Sequence, residues 1–197
     1  DNKWGTAWGK IDPSQGPRFY AKALRKGWKS SLHPDEYSID PIISPRNSNW
    51  FMLSLAGRRA LTFLEKQAEV DPAKLGFSGF SMGGTITSMT AIDKRLKAVA
   101  PFVGGTGFLH ENYAGMKSGS VIRNIGDMEL YKNTIDPGAY WKHVNIPVMF
   151  ITSSNDFHST FHRIYRSMNL LPHKNWRVTG NRHANHGPGP EQWILLN

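Results

Sequence analysis

The chain has 197 residues, of which 39% are hydrophobic and 12% aromatic, which is enough to bury one sizeable core. It contains no cysteine, so a thiol nucleophile, a disulfide framework and a thiolate metal site are all excluded. The formal net charge is +9, but the Lys and Arg clusters have the spacing of ordinary solvated helix faces and turns, so we expect no nucleic-acid partner.

No apolar run approaches the roughly 20 residues that span a bilayer, so we expect no membrane association. The first residues, starting at Asp1, lack the basic and then apolar pattern of a signal segment. The absence of cysteine does not identify a compartment, and we favour a periplasmic or secreted location slightly over a cytoplasmic one.

Hydrophobic periodicity predicts helices that alternate with short strands along the chain. In chain order these elements are helix 18–26, a short strand at 28–32 as an option, helix 47–67, strand 74–77, helix 85–93, strand 96–103, helix 128–132, strand 146–152, helix 158–168 and strand 176–178. Such alternation predicts the α/β class, with a mostly parallel sheet flanked by helices and ligands at the carboxyl ends of the strands.

Two of these segments carry particular patterns. In helix 47–67, Phe51, Leu55, Leu61 and Leu64 recur near the 3.6-residue period and predict one apolar face. Strand 146–152 is continuously apolar, which is typical of a strand buried on both faces. Residues 106–143 show no sustained pattern apart from the short helix at 128–132.

The segment Gly79-Phe80-Ser81-Met82-Gly83-Gly84 follows a strand and opens a helix, which is the setting of a nucleophile elbow. A sharp turn would hold the hydroxyl of Ser81 clear of the backbone, and the glycines at 79, 83 and 84 would supply room for close approach. The amide of Met82 could then point at a developing oxyanion. The alternative is a glycine-rich turn without chemistry.

A serine hydroxyl needs a base within hydrogen-bond reach and a carboxylate that orients this base. In this type of fold the three residues occur in the order Ser, Asp, His. Asp156 lies just past the apolar strand 146–152 and is the preferred acid. Asp127 and Asp136 are alternatives, although neither follows a clear strand.

His186 and His183 both follow the last predicted strand and both are candidates for the base. We prefer His186, because the Gly-Pro-Gly-Pro run after it gives a defined loop with little side-chain obstruction. A metal site is an alternative, since His158 and His162 have the i, i+4 spacing of a helix face. No His-Glu-x-x-His pattern accompanies them, so we expect neither a metal nor another cofactor.

These motifs resemble the α/β-hydrolase fold and, more narrowly, serine hydrolases of the dienelactone hydrolase and acetyl xylan esterase type. The resemblance runs from about residue 49 to 192. It implies Ser81 as nucleophile, Asp156 as orienting acid and His186 as base, with Trp8 or Gly9 giving a second oxyanion amide. It also implies that this single α/β-hydrolase domain, residues 1–197, lacks the first strands and the last helix and is incomplete at both ends.

The function expected from this resemblance is hydrolysis of a carboxylic ester, with an acetyl or other short acyl group, through an acyl-enzyme. The partner would be a small-molecule or carbohydrate ester, and the sequence does not indicate an oligomeric state. One alternative is a catalytically silent hydrolase-like domain that binds a carbohydrate or a protein through exposed Trp residues. Another is a serine peptidase of the same fold.

Overall fold

The structure, a computed structural model, describes residues 49–109, 111 and 128–187. In chain order its elements are α1 (Asn49–Leu64), a 3-10 helix (Pro72–Lys74), β1 (Gly76–Phe80), α2 (Met82–Thr90), β2 (Ala98–Phe102), α3 (Met128–Thr134), α4 (Gly138–Trp141), β3 (Val148–Ser153), α5 (Phe161–Met168) and β4 (Trp176–Asn181). The predicted helix 18–26 and the optional strand 28–32 lie outside the described residues. None of the helices in the described ranges is long and apolar enough to cross a membrane.

The strands form a parallel sheet in the order β1-β2-β3-β4. Phe80 at the end of β1 lies beside Phe102 of β2, and Ser153 at the end of β3 lies beside Asn181 of β4. All four strands therefore end at one edge of the sheet, with α2 packed against β1 and β2. The predicted parallel α/β architecture is confirmed.

The side chains of β3 are buried on both faces of the sheet, as its continuous apolar run predicts. Phe150 belongs to the main core, together with Trp141 of α4 and Ile164 of α5, and it is fully buried. Its neighbour Ile151 belongs to a second cluster, with Phe102. Because successive strand residues point to opposite faces, helices or loops must cover both sides of the sheet.

The apolar face predicted for α1 is only partly correct. Leu61 is buried, but Leu55 and Leu64 are 39% and 37% exposed. The helix also packs closely at Gly57, where an added Cβ would stand 3.1 Å from Phe77 Cζ of β1 and from Thr90 Oγ1 of α2. A hydrophobic pattern gives no weight to glycine, so the periodicity of the leucines identifies Leu61 but not the contact at Gly57.

Several element boundaries also differ from the prediction. Helix α2 starts at Met82 rather than residue 85, and β4 continues to Asn181 rather than 178. Helix α5 starts at Phe161 rather than 158, because the Thr160 side chain accepts a hydrogen bond from the Arg163 amide and caps the helix there.

Helix α4 was missed altogether because four residues are too few to show a period. Its last residue, Trp141, is nevertheless fully buried, and its Nε1 donates a 2.8 Å hydrogen bond to the Gly105 carbonyl. Trp141 thus ties the segment after β2 to the core.

A charged network joins α1 to the turn after α2. The carboxylate of Asp93 is 4% exposed and accepts hydrogen bonds from Arg58 Nε at 3.0 Å and from Arg95 Nε at 2.8 Å. Arg95 also reaches Glu65 just beyond the end of α1. The hydrogen bonds from the Arg95 side chain hold the pKa of Asp93 far below its ordinary value, so the carboxylate stays charged at all but very acidic pH.

We predict that Asp93→Asn lowers the free energy of unfolding at pH 7 by about 2 kcal/mol, because the arginines lose their charged acceptor. A carboxylate with a lowered folded-state pKa stabilises the fold above its unfolded pKa of about 3.9, and this stabilisation is lost as the pH falls. Urea unfolding should therefore show the difference at pH 7 and a smaller one below about pH 4. The matched control is Glu129→Gln. The Glu129 side chain is 75% exposed and pairs with Lys132, so this substitution should change the unfolding free energy by less than about 0.5 kcal/mol.

Candidate active site

Ser81 lies in the turn between β1 and α2, in a backbone conformation that a serine rarely adopts. Its φ is 53° and its ψ is −107°, outside the regions favoured by residues with a side chain. The turn is held because the Ser81 amide donates a 2.8 Å hydrogen bond to the Phe102 carbonyl of β2. This hydrogen bond attaches the turn to the neighbouring strand, and the strained conformation is typical of a functional site.

Glycines around the turn allow backbone segments to approach one another closely. A Cβ on Gly79 would stand 2.3 Å from the Gly83 carbonyl oxygen, and one on Gly104 would stand 2.1 Å from the Ser81 carbonyl oxygen. A Cβ on Gly84 would stand 2.8 Å from the Phe102 oxygen. The space around Gly83 is open, so the prediction that this glycine supplies room is wrong. Gly104, which lies after β2, was missed because it is outside the serine motif.

Asp156 follows the end of β3 in a tight turn, and its side chain is fully buried. Its Oδ1 accepts two backbone hydrogen bonds of 2.6 Å, from the amides of His158 and Ser159. These amides fix the carboxyl group and compensate for the loss of water around it. The second oxygen, Oδ2, is thereby directed toward the loop after β4.

His186 lies in that loop, which hydrogen bonds hold against the loop after β3. The Asn185 amide donates to Asn155 Oδ1 at 2.9 Å, and Asn155 Nδ2 donates in return to Asn185 Oδ1. Ser153 Oγ also donates to Asn155 Oδ1, at 2.7 Å. The two asparagines directly precede Asp156 and His186, so their reciprocal pair keeps the two loops in register.

The structure brings Ser81, His186 and Asp156 into one hydrogen-bonded chain. The distance from His186 Nε2 to Ser81 Oγ is 2.7 Å, and the distance from His186 Nδ1 to Asp156 Oδ2 is 2.9 Å. When His186 Nδ1 carries the proton and donates a hydrogen bond to the carboxylate, Nε2 is free of a proton and can accept a hydrogen bond from the serine hydroxyl. This arrangement can withdraw the hydroxyl proton as the oxygen attacks an electrophile.

The other candidates are placed differently. His183 is exposed, and its backbone amide donates a 3.3 Å hydrogen bond to Ser154 Oγ. The carboxylate of Asp136 accepts the amides of Phe108, Leu109 and Gly138, which gives it a structural role in the segment after β2. Asp127, Trp8 and Gly9 lie outside the described residues.

The proposed helical spacing of His158 and His162 is wrong, because α5 starts at Phe161 and His158 lies in the loop before it. Among the residues that the structure describes, no group of three or more His, Cys, Asp or Glu side chains is placed to hold a metal ion. The ring of His158 instead lies edge-on to that of His186, with ring centroids 5.7 Å apart. Burial lowers the pKa of His158, and the nearby His186 lowers it further.

The backbone amide of Met82 lies at the first residue of α2. Amides in the first turn of a helix have no acceptor within the helix, and the helix dipole places partial positive charge there. Met82 directly follows Ser81, so this end of α2 lies beside the serine. It can accommodate negative charge that develops beside Ser81.

The parallel sheet and the strained serine turn at its carboxyl edge define the class of this protein, which is an α/β-hydrolase. A model of the dienelactone hydrolase family matches residues 17–185. The chain therefore belongs to the dienelactone hydrolase family, as the motifs around Ser81 predict. A search of curated protein sequences gave no significant match.

Solved structures show the same fold. An acetyl xylan esterase from Paenibacillus sp. R4 aligns with a TM-score of 0.68 and 16% identity over 81% of this chain and 54% of that one. Acetyl xylan esterase 1 from Thermoanaerobacterium sp. JW/SL YS485 aligns with a TM-score of 0.54 and 13% identity, over 80% and 53%. Dipeptidyl peptidase 4 from Porphyromonas gingivalis aligns with a TM-score of 0.58 and 15% identity, over 75% and 22%. This chain thus spans about half the length of the two esterases.

We predict that Gly104→Ala lowers the free energy of unfolding by about 3 kcal/mol, because the added Cβ collides with the Ser81 carbonyl oxygen. Gly83→Ala is the matched control, since it introduces the same methyl group two residues after Ser81 but into open space within α2. It should stabilise the protein by up to about 1 kcal/mol, since alanine favours a helix. Equal losses in urea unfolding for the two variants would contradict this account of the turn.

Proposed function

We propose that this protein is a serine hydrolase that cleaves carboxylic esters with an acetyl or other short acyl group. The observation that carries the proposal is the chain of contacts from Ser81 through His186 to Asp156, at 2.7 and 2.9 Å. The family model, which is named for a lactone hydrolase, supports an ester as the substrate because a lactone is a cyclic ester.

In the first half of the proposed reaction, Ser81 Oγ attacks the ester carbonyl while His186 Nε2 takes the hydroxyl proton. The carbonyl oxygen becomes negatively charged, and the Met82 amide at the start of α2 donates a hydrogen bond to it. His186 then returns the proton to the alkoxy oxygen, so the alcohol leaves and an acyl group stays on Ser81. The resemblance assigns a second oxyanion amide to Trp8 or Gly9.

In the second half, His186 takes a proton from water as the water oxygen attacks the acyl carbonyl; His186 then gives this proton to Ser81 Oγ, the bond between the serine oxygen and the acyl carbon breaks, and the carboxylic acid leaves. Asp156 stabilises the imidazolium that forms in each half-reaction. In the neutral ring it keeps the proton on Nδ1, so that Nε2 faces Ser81 without one. The amides of His158 and Ser159 prevent the carboxylate from rotating away, since they hold its other oxygen. The buried carboxylate therefore acts through the orientation and charge of His186.

The first test is covalent labelling. A fluorophosphonate should form a stoichiometric adduct on Ser81 of the wild type, located by peptide mass spectrometry, and Ser81→Ala should give none. Hydrolysis of p-nitrophenyl acetate by Ser81→Ala should fall by at least about 10³-fold. Ser78→Ala removes an exposed hydroxyl from β1, the strand that leads to Ser81, and should behave as the wild type.

The outcome of labelling also separates the alternative functions. A silent binding domain would leave wild-type Ser81 unlabelled and both ester and amide substrates intact. A peptidase would be labelled but would turn over peptide p-nitroanilides faster than short-chain esters. Either result would overturn the esterase proposal.

A second prediction concerns Asp156→Asn. Because the His158 and Ser159 amides require an oxygen at the Oδ1 position, the new side chain would direct its NH₂ group toward His186. His186 Nδ1 must then accept that hydrogen bond, which leaves the proton on Nε2, and the ring can no longer take the proton of Ser81. We expect a fall of about 10⁴-fold in kcat with p-nitrophenyl acetate. A fall in kcat of less than tenfold, with the fold intact by circular dichroism, would show that Asp156 does not have the proposed role.

A further inference from the structure

Two phenylalanine rings contact the imidazole of His186 and still have much of their surface exposed. The ring of Phe157 lies 5.0 Å from His186 between centroids, and that of Phe80 lies 5.7 Å away. Phe157 is 47% exposed and Phe80 is 45% exposed. Together they place exposed aromatic surface directly beside the proposed base.

Each ring is also fixed to a catalytic turn. Phe80 is the last residue of β1 and directly precedes Ser81, while Phe157 directly follows Asp156. The backbone of each phenylalanine is therefore held by the same hydrogen bonds that hold the turns of Ser81 and Asp156. A surface built in this way can be preorganised for a ligand.

The direction of proton transfer shows which part of an ester this surface would meet. His186 Nε2 has to give its proton to the alkoxy oxygen, so that oxygen must come within about 3 Å of Nε2. The first carbons of the alcohol then lie beside the imidazole, whose centroid is 5.0 Å from that of the Phe157 ring and 5.7 Å from that of the Phe80 ring. Phenylalanine offers these carbons a flat apolar surface without hydrogen-bonding groups.

We propose that Phe80 and Phe157 form the binding surface for the alcohol portion of the ester, and that they select apolar alcohols that carry a ring over short aliphatic ones. This inference rests on the proposed esterase function and deepens it. The third ring beside His186, that of His158, is consistent with an apolar ligand, since burial favours its uncharged form.

The test compares two acetyl esters, benzyl acetate and ethyl acetate. Both form the same acetyl-enzyme, so a difference in kcat/KM between them reports recognition of the alcohol up to its release. The wild type should prefer benzyl acetate. In Phe157→Ala and in Phe80→Ala the ratio of kcat/KM for benzyl over ethyl acetate should fall roughly tenfold. Phe157→Leu, which keeps an apolar side chain, should retain more of the ratio than Phe157→Ala.

The control is Phe63→Ala, which removes a phenylalanine that is 64% exposed on α1, and it should leave the ratio unchanged. An unchanged ratio in both alanine variants would overturn the inference, as would an equal loss for both esters, since the rings would then only position His186. Failure of the esterase function would look different. In that case the wild type would hydrolyse neither ester and Ser81 would not be labelled by the fluorophosphonate.

Discussion

The serine turn depends on the close approach of three backbone segments, and the rest of the site depends on this turn. Gly79 lies against the Gly83 carbonyl, Gly84 against that of Phe102, and Gly104 against that of Ser81 itself. With this packing, β1, α2 and the end of β2 hold Ser81 at φ 53° although the residue carries a side chain. The strain is of the order of 1–3 kcal/mol and is offset by the surrounding contacts. The hydroxyl is thereby placed where the loops of two other strands can reach it.

The sequence predicts much of this site because each of its parts lies in a recognisable local pattern. A strand, a glycine-flanked serine and a helix start are contiguous, and Asp156 and His186 each follow a strand in the order that the fold requires. Loop composition favours His186 over His183, and the structure brings His186 to the serine. These residues were recognisable because residue type and chain position together limit what they can do.

The remainder could not be predicted, since it depends on contacts between distant segments. Gly104 and Ser81 touch through backbone atoms, which leave no residue pattern, and the reciprocal pair of Asn155 and Asn185 joins loops 30 residues apart. Helix α4 is too short for periodicity, although its Trp141 is among the most buried side chains. Gly104, Asn155 and Asn185 are small or polar residues, so hydrophobic patterns do not register their contacts, and Trp141 is a single apolar position without a periodic neighbour.

The order of the strands explains why several contacts are needed to hold His186 beside Ser81. Two strands separate β1 from β4, and at about 4.8 Å between neighbours their ends lie about 14 Å apart. The loop after β4 must therefore extend across the sheet edge to bring His186 to Ser81. His186 lies five residues beyond the end of β4, and hydrogen bonds fix this part of the chain to its neighbour, the loop after β3. The asparagine pair fixes the backbone of the loop after β4, and Asp156 fixes one edge of the His186 imidazole. The rings of Phe80, Phe157 and His158 also contact this imidazole. The His186 ring is thus oriented by Phe80 of β1 and by the loop after β3, and its position relative to Ser81 depends on the register of the whole sheet.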